Sequence, residues 1–254
     1  MPAGLKIRNI NPQDWFQALI YKEFVRSTEQ RIDPGWHHPS SLAHPCDRYK
    51  QFKFIGAPEE GSRSYLLAFT STVGTFIHAT IQSLVENHPA VIAIEEKCFD
   101  EEARVRGQLD LRVKDPDSVE NIIDIKTVNI LPKQARPKDI IQVLWYMKIN
   151  KVIRGTIIYI TRGSGAMSRF SFEWKGWSKI WDQSSLTVHK ITVDTLNNRL
   201  SERTPPDRKF CEQQCSYVRL CDTVQSGKLE NWLPLVENTK EIINASLQGK
   251  TAGE

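Results

Sequence analysis

The sequence predicts an α/β fold with a mixed central sheet and helices on both of its faces. Three observations carry that expectation. Apolar residues recur at helical spacing in the first third of the chain. The pattern then changes to short strand-like runs separated by turn residues. A helix, two more strands and a further helix follow. The length of 254 residues suits one domain with a small subdomain, and 40% hydrophobic against 25% charged residues provides for a packed core.

In chain order, residues 11–31 read as an amphipathic helix after an Asn-Pro start, and RIDPGWHHPSS as a loop. LAHPCDRYKQFKF begins a second, basic helix with Cys46 near its start. Residues 64–87 form a long apolar helix, expected to be mostly buried. PAVIAIEEKCF, ARVRGQLDLRVKD and VENIIDIKTVN are three strands, and a helix follows over about 134–149. GTIIYITRG and SRFSFEW are two further strands, followed by a helix over 176–200 and a cysteine loop. A last helix is expected near 230–247, with a frayed tail.

Composition narrows the function classes. No apolar run is long enough to span a membrane, and MPAGLKIRNINPQDW has no signal-peptide core, so an intracellular, cytoplasmic protein is expected. The net charge of +4 and pI near 8.7 suit a polyanionic partner without identifying one. Five cysteines, an odd number, argue against a disulfide framework. No phosphate-binding G-x-x-x-x-G-K-[ST] loop occurs, which excludes a helicase motor in this chain.

Four short motifs fall in a meaningful order: Gly74-x-x-x-His78 on the apolar helix, Gly107-x-x-Asp110 in the second strand, Asp124-x-Lys126 in the third, and Gln142-x-x-x-Tyr146 on the next helix. Asp124 and Lys126 share one face of a strand whose neighbours Ile122, Ile123 and Ile125 are apolar. Buried charges need compensation, which a divalent cation and a phosphate would supply. Asp110 can bring a second carboxylate to the same cation, and His78 an imidazole. A metal so held activates water for phosphodiester hydrolysis, and Lys126 stabilises developing charge. The alternatives are a plain Asp124–Lys126 ion pair, a core histidine at His78, and ordinary packing of Gln142 and Tyr146 rather than DNA contact.

This order of motifs resembles the RecB-like branch of the PD-(D/E)XK nucleases, over roughly residues 40–222. The resemblance implies a restriction-endonuclease-like core in a single domain, its core at about 64–200. It implies magnesium or manganese bound by His78, Asp110, Asp124 and the Ile125 carbonyl, with Asp110, Asp124 and Lys126 catalytic. Gln142 and Tyr146 would lie beside the site and handle DNA. Small stand-alone members often degrade single-stranded DNA from its ends. An endonuclease or nickase, and a non-catalytic DNA-binding subunit of a larger recombination, repair, CRISPR or phage complex, are the alternatives.

Cys211, Cys215 and Cys221 crowd near the C-terminus, and Cys46 stands 165 positions upstream of the first of them. Four thiolates bind either zinc or an iron–sulfur cluster. The arrangement resembles the iron–sulfur subgroup of the same nucleases, which implies a [4Fe-4S] cluster, although C-x3-C here has one residue more than the usual C-x2-C. The cluster subdomain would comprise about 36–60 and 205–230. Closing so long a loop is worth about 4–5 kcal/mol by analogy with a disulfide. Arg48 and Tyr49 after Cys46 form either a basic, aromatic patch for single-stranded DNA or a solvated face. Cys98 reads as a plain thiol.

Overall fold

The computed structural model describes residues 33–60, 65–203, 211–212, 215–230 and 232–251. The helix expected over 11–31 lies outside the described residues, as do parts of the cysteine loop and the end of the tail.

Two short helices come first, α1 (Pro39–Leu42) and α2 (Asp47–Phe54), then the long α3 (Tyr65–Val85). The strands β1 (Val91–Asp100), β2 (Val105–Lys114) and β3 (Glu120–Val128) follow, then α4 (Pro137–Asn150), β4 (Arg154–Thr161) and β5 (Met167–Glu173). A 3-10 turn leads into α5 (Ser178–Leu196), and α6 (Val218–Gln225) and α7 (Leu233–Thr251) complete the described chain. Part of the loop expected around 31–41 is helical, because Pro39 suits a first helical position, and His37 bridges to Val105. The last helix runs on to Thr251, beyond its expected end.

One five-stranded sheet has the order β1-β2-β3-β4-β5. Only β3 and β4 are parallel, and the crossover that a parallel pair requires is α4. Ile122 and Val128 of β3 pack with Ile140, Val143 and Leu144 of α4. Ile123 and Ile125 pack on the opposite face with Ile77 and Ile81 of α3. Helices therefore cover both faces of β3, so its apolar residues Ile122, Ile123, Ile125 and Val128 point to both sides rather than alternating. This is the mixed, helix-flanked sheet the sequence predicts, compatible with a PD-(D/E)XK-like core. A second apolar core joins Phe52 and Phe54 of α2 to Ile191 of α5, Val224 of α6 and Trp232, Val236 and Ile243 near the C-terminus.

One expectation is overturned. Helix α3 is not mostly buried: Phe76 is 72% exposed and Leu84 80%. Among the described side chains, an apolar stripe including Ile77, Ile81 and Val85 packs on the sheet. The segment from 65 to 85 contains no Asp, Glu, Lys or Arg, so its sequence shows no polar face although its structure has a solvent-facing one.

Candidate active site

Strands β2 and β3 pair only from Leu111↔Ile123 to Lys114↔Glu120. Beyond Leu111 they part, while β3 stays paired with β4 through Val128↔Thr161. The fork leaves Asp110 on one prong and Asp124, Ile125 and Lys126 on the other. In place of a backbone partner, the Ile125 N–H donates to Asp110 Oδ2 at 2.6 Å. His78 Nδ1 of α3 stands 3.6 Å from the same oxygen.

Two glycines allow this closeness. A Cβ on Gly74 would meet Thr127 Oγ1 of β3 at 2.8 Å, so glycine lets α3 descend onto the fork. A Cβ on Gly107 would meet the Tyr146 ring at 2.8 Å, so glycine lets α4 close over β2. The G-x-x-x-H and G-x-x-D motifs thus join a close backbone contact to a side chain at the fork.

Lys126 Nζ donates to Asp124 Oδ1 at 3.1 Å and to Gln142 Oε1 at 2.9 Å, and Gln142 Nε2 donates to the Tyr146 hydroxyl at 3.2 Å. Tyr146 is buried, so its contact is to Gln142 rather than to the surface. The second, third and fourth motifs are therefore joined by hydrogen bonds, and His78 of the first stands in contact with Asp110. Asp124 is 1% exposed, and burial raises its pKa to about 7 against the opposing pull of Lys126, with Asp110 adding to the rise. Burial opposes the charge on Lys126, but Asp124 outweighs it, and the ammonium titrates above the usual lysine range. Burial likewise opposes protonation of His78, and the Asp110 carboxylate more than offsets it, for a net upward shift.

Among the described residues no three His, Cys, Asp or Glu side chains stand ready to hold an ion. At the fork the reason is visible: each acid faces an internal donor, Asp124 toward Lys126, and Asp110 toward His78 and the Ile125 N–H. One oxygen differs. Asp124 Oδ2 is buried and 2.9 Å from Lys126 Nζ, yet receives no directed hydrogen bond. A buried carboxylate oxygen held by the Lys126 charge rather than by a directed hydrogen bond, with a second carboxylate and an imidazole near it, offers oxygen and nitrogen ligands of the kind a divalent cation takes.

Cys46, Cys211, Cys215 and Cys221 line one pocket between α2 and the segment ending in α6. The Cys215 N–H donates to the Cys211 carbonyl at 3.0 Å, so the C-x3-C pair stands one helical turn apart. Burial pushes the Cys215 thiol up to about 11, and the other three add to the rise. Two guanidinium groups face the sulfurs: Arg48 Nη1 is 3.4 Å from Cys221 Sγ, and Arg203 Nη2 3.1 Å from Cys211 Sγ. Four cysteines and two cationic donors therefore share this pocket, although among the described residues the cysteines do not form a ready ion site. Arg48 is buried and also serves Ser201 O and Gln225 Oε1, so it points inward. Tyr49 stacks on His44 at 3.7 Å. Cys98 lies apart, in the core against α4, where burial pushes its thiol to about 11.

Sequence reasoning missed Asp139 and Tyr159, a buried pair beside the site. Tyr159 lies next to Lys126 in the parallel β3–β4 ladder, and its hydroxyl donates to Asp139 Oδ2 at 2.7 Å. The available signals were an acid in the first turn of a helix and a tyrosine in an apolar strand, neither of which stands out.

No protein-family profile and no curated protein sequence matches the chain. Among solved structures, SSO0001 is similar with a TM-score of 0.51 at 13% identity, covering 82% of this chain and 97% of that one. An alkaline exonuclease from Laribacter hongkongensis, LHK-Exo, aligns with a TM-score of 0.43 at 15% identity, covering 68% of this chain and 93% of that one; its complex with dAMP gives the same values. At these identities, the likeness to SSO0001 establishes the fold alone.

Proposed function

We propose that the chain is a metal-dependent DNA nuclease acting on the ends of single-stranded DNA. The observation that carries this reading is the fork, where Asp110, Asp124, Lys126 and His78 converge and a buried Asp124 oxygen lacks a directed donor. Asp110, Asp124, His78 and the Ile125 carbonyl would hold magnesium or manganese. When bound, the metal supplies an acidified water and polarises a phosphate oxygen. The chain's own groups do the rest. Lys126 has three N–H donors, two of them engaged by Asp124 and Gln142, and the third serves the reacting phosphate. Gln142 holds Lys126 off full collapse onto Asp124, and Tyr146 fixes the Gln142 amide.

Cys46, Cys211, Cys215 and Cys221 would bind a [4Fe-4S] cluster, with Arg48 and Arg203 offsetting its charge, and would tie residues 36–60 to 205–230 beside a nuclease core at about 64–200. Phosphate contacts carry no sequence information, so an enzyme that relies on them needs another restraint, and a requirement for a free end supplies it. The test compares linear single-stranded DNA with the same molecule closed into a circle, in manganese or magnesium at low salt. Linear DNA is degraded and the circle survives. Equal loss of the circle replaces the exonuclease with an endonuclease, and intact linear DNA removes the nuclease.

A further inference from the structure

We infer that Asp139 and Tyr159 are positioning residues for Lys126: their buried hydrogen bond fixes the first turn of α4 so that Gln142 meets the ammonium. The inference rests on the nuclease reading above for its functional meaning.

Asp139 is 4% exposed and Tyr159 is fully buried. An acid in the first turn of a helix complements the dipole of its N-terminus, but an exposed one does so without the cost of burial. Asp139 instead turns inward to the Tyr159 hydroxyl. That hydroxyl also accepts the N–H of Arg136, the residue before the helix, at 3.0 Å. Its one hydrogen and one of its lone pairs are therefore both assigned within the opening turn of α4. Burial pushes the Tyr159 pKa well above the usual tyrosine range, so the group is a donor at all ordinary pH.

The register explains why this reaches Lys126. Lys126 and Tyr159 are Cα partners in the parallel ladder. From these neighbouring positions, Tyr159 grips α4 at Asp139, and Lys126 grips it at Gln142, 2.9 Å away. Asp139 and Gln142 are three residues apart and share a helix face. The buried bond thereby sets the height and rotation of the turn that carries Gln142. Without it, Gln142 drifts and Lys126 keeps only Asp124, the acid a cation requires.

The test compares Tyr159→Phe, which removes one oxygen, Asp139→Leu, and Asp139→Asn, whose amide oxygen still accepts from Tyr159. On linear single-stranded DNA, Tyr159→Phe and Asp139→Leu lower kcat about 10- to 100-fold, the cost of a small misplacement. KM stays as in the wild type, the half-saturating manganese concentration rises because Lys126 competes for Asp124, and Asp139→Asn restores most of the rate. Crystal structures of the wild type and Tyr159→Phe are compared alongside. Loss of the Gln142–Lys126 contact in the variant supports the inference. Unchanged kcat, an effect confined to KM, failure of Asp139→Asn to restore the rate, or an intact Gln142–Lys126 contact overturns it. If the wild type does not cleave DNA, the nuclease reading fails, and the crystal structures still decide the positioning.

Discussion

At the scale of single residues, the site combines groups that are costly apart and useful together. Asp124 is disfavoured as an anion by burial and tolerated through Lys126. Asp124→Asn removes that anion, and DNA cleavage should fall on the order of 1000-fold, the scale expected for losing a directly held catalytic charge. The melting temperature should fall as well, because the Lys126 ammonium loses the anion that compensates its burial. A cleavage assay and a thermal melt on the same preparation check both halves. His37 makes a different prediction. It is buried, stacked on Phe54 at 4.1 Å, and bonded through Nε2 to Thr192 Oγ1 at 3.0 Å. Burial, helped by His38, Lys50 and Arg104, lowers its pKa from 6.5 to about 3. Between those values the unfolded chain binds the proton and the folded chain does not. Stability is therefore lost as pH falls through that window, at up to about 1.4 kcal/mol per pH unit, and kept above it. Urea unfolding from pH 7 to pH 4 should show this slope in the wild type and a shallower one in His37→Phe.

At the scale of elements, all five strands were legible in the sequence, because short apolar or alternating runs between turn residues signal extended structure, even in β5, where no residue is fully buried. That His78, Asp110, Asp124, Lys126 and Gln142 would come together was legible from the order and spacing of the motifs. The fork was not, since a strand's sequence states which of its positions are apolar and not where its pairing stops. The exposed side of α3 was hidden because Phe76 and Leu84 face solvent without a charged neighbour on the helix. Arg48 looked like a surface cation, and only the fold turns it toward Cys221. Asp139 and Tyr159 were invisible because their significance lies in a cross-strand register. The glycine contacts give a test at this scale. Gly107→Ala drives a methyl group into the Tyr146 ring and should cost about 1–3 kcal/mol in denaturant unfolding, as overpacking does. Gly163→Ala, with nothing within 4 Å of the new carbon, should leave unfolding nearly unchanged.

At the scale of the whole molecule, the four cysteines join the helix after Cys46 to the C-terminal part of the chain, so their occupancy should govern global stability. Protein purified without oxygen should contain iron, and Cys46→Ser should lose it together with several degrees of melting temperature, whereas Cys98→Ser should keep both. Zinc in place of iron would replace the cluster but not the clasp. The fork has a mechanical side as well. β1 and β2 on one hand, and β3, β4 and β5 on the other, share four rungs of backbone pairing and the Asp110–Ile125 bond. Helix α3 lies across the division, touching β1 through Gln82 and Glu95, β2 through Asp110, and β3 at Thr127. Such a sheet should open as two cooperative units, each exchanging its amide hydrogens at its own rate. A cation shared by Asp110 and Asp124 would rivet the units together, so that in manganese the two sets of amides exchange as one.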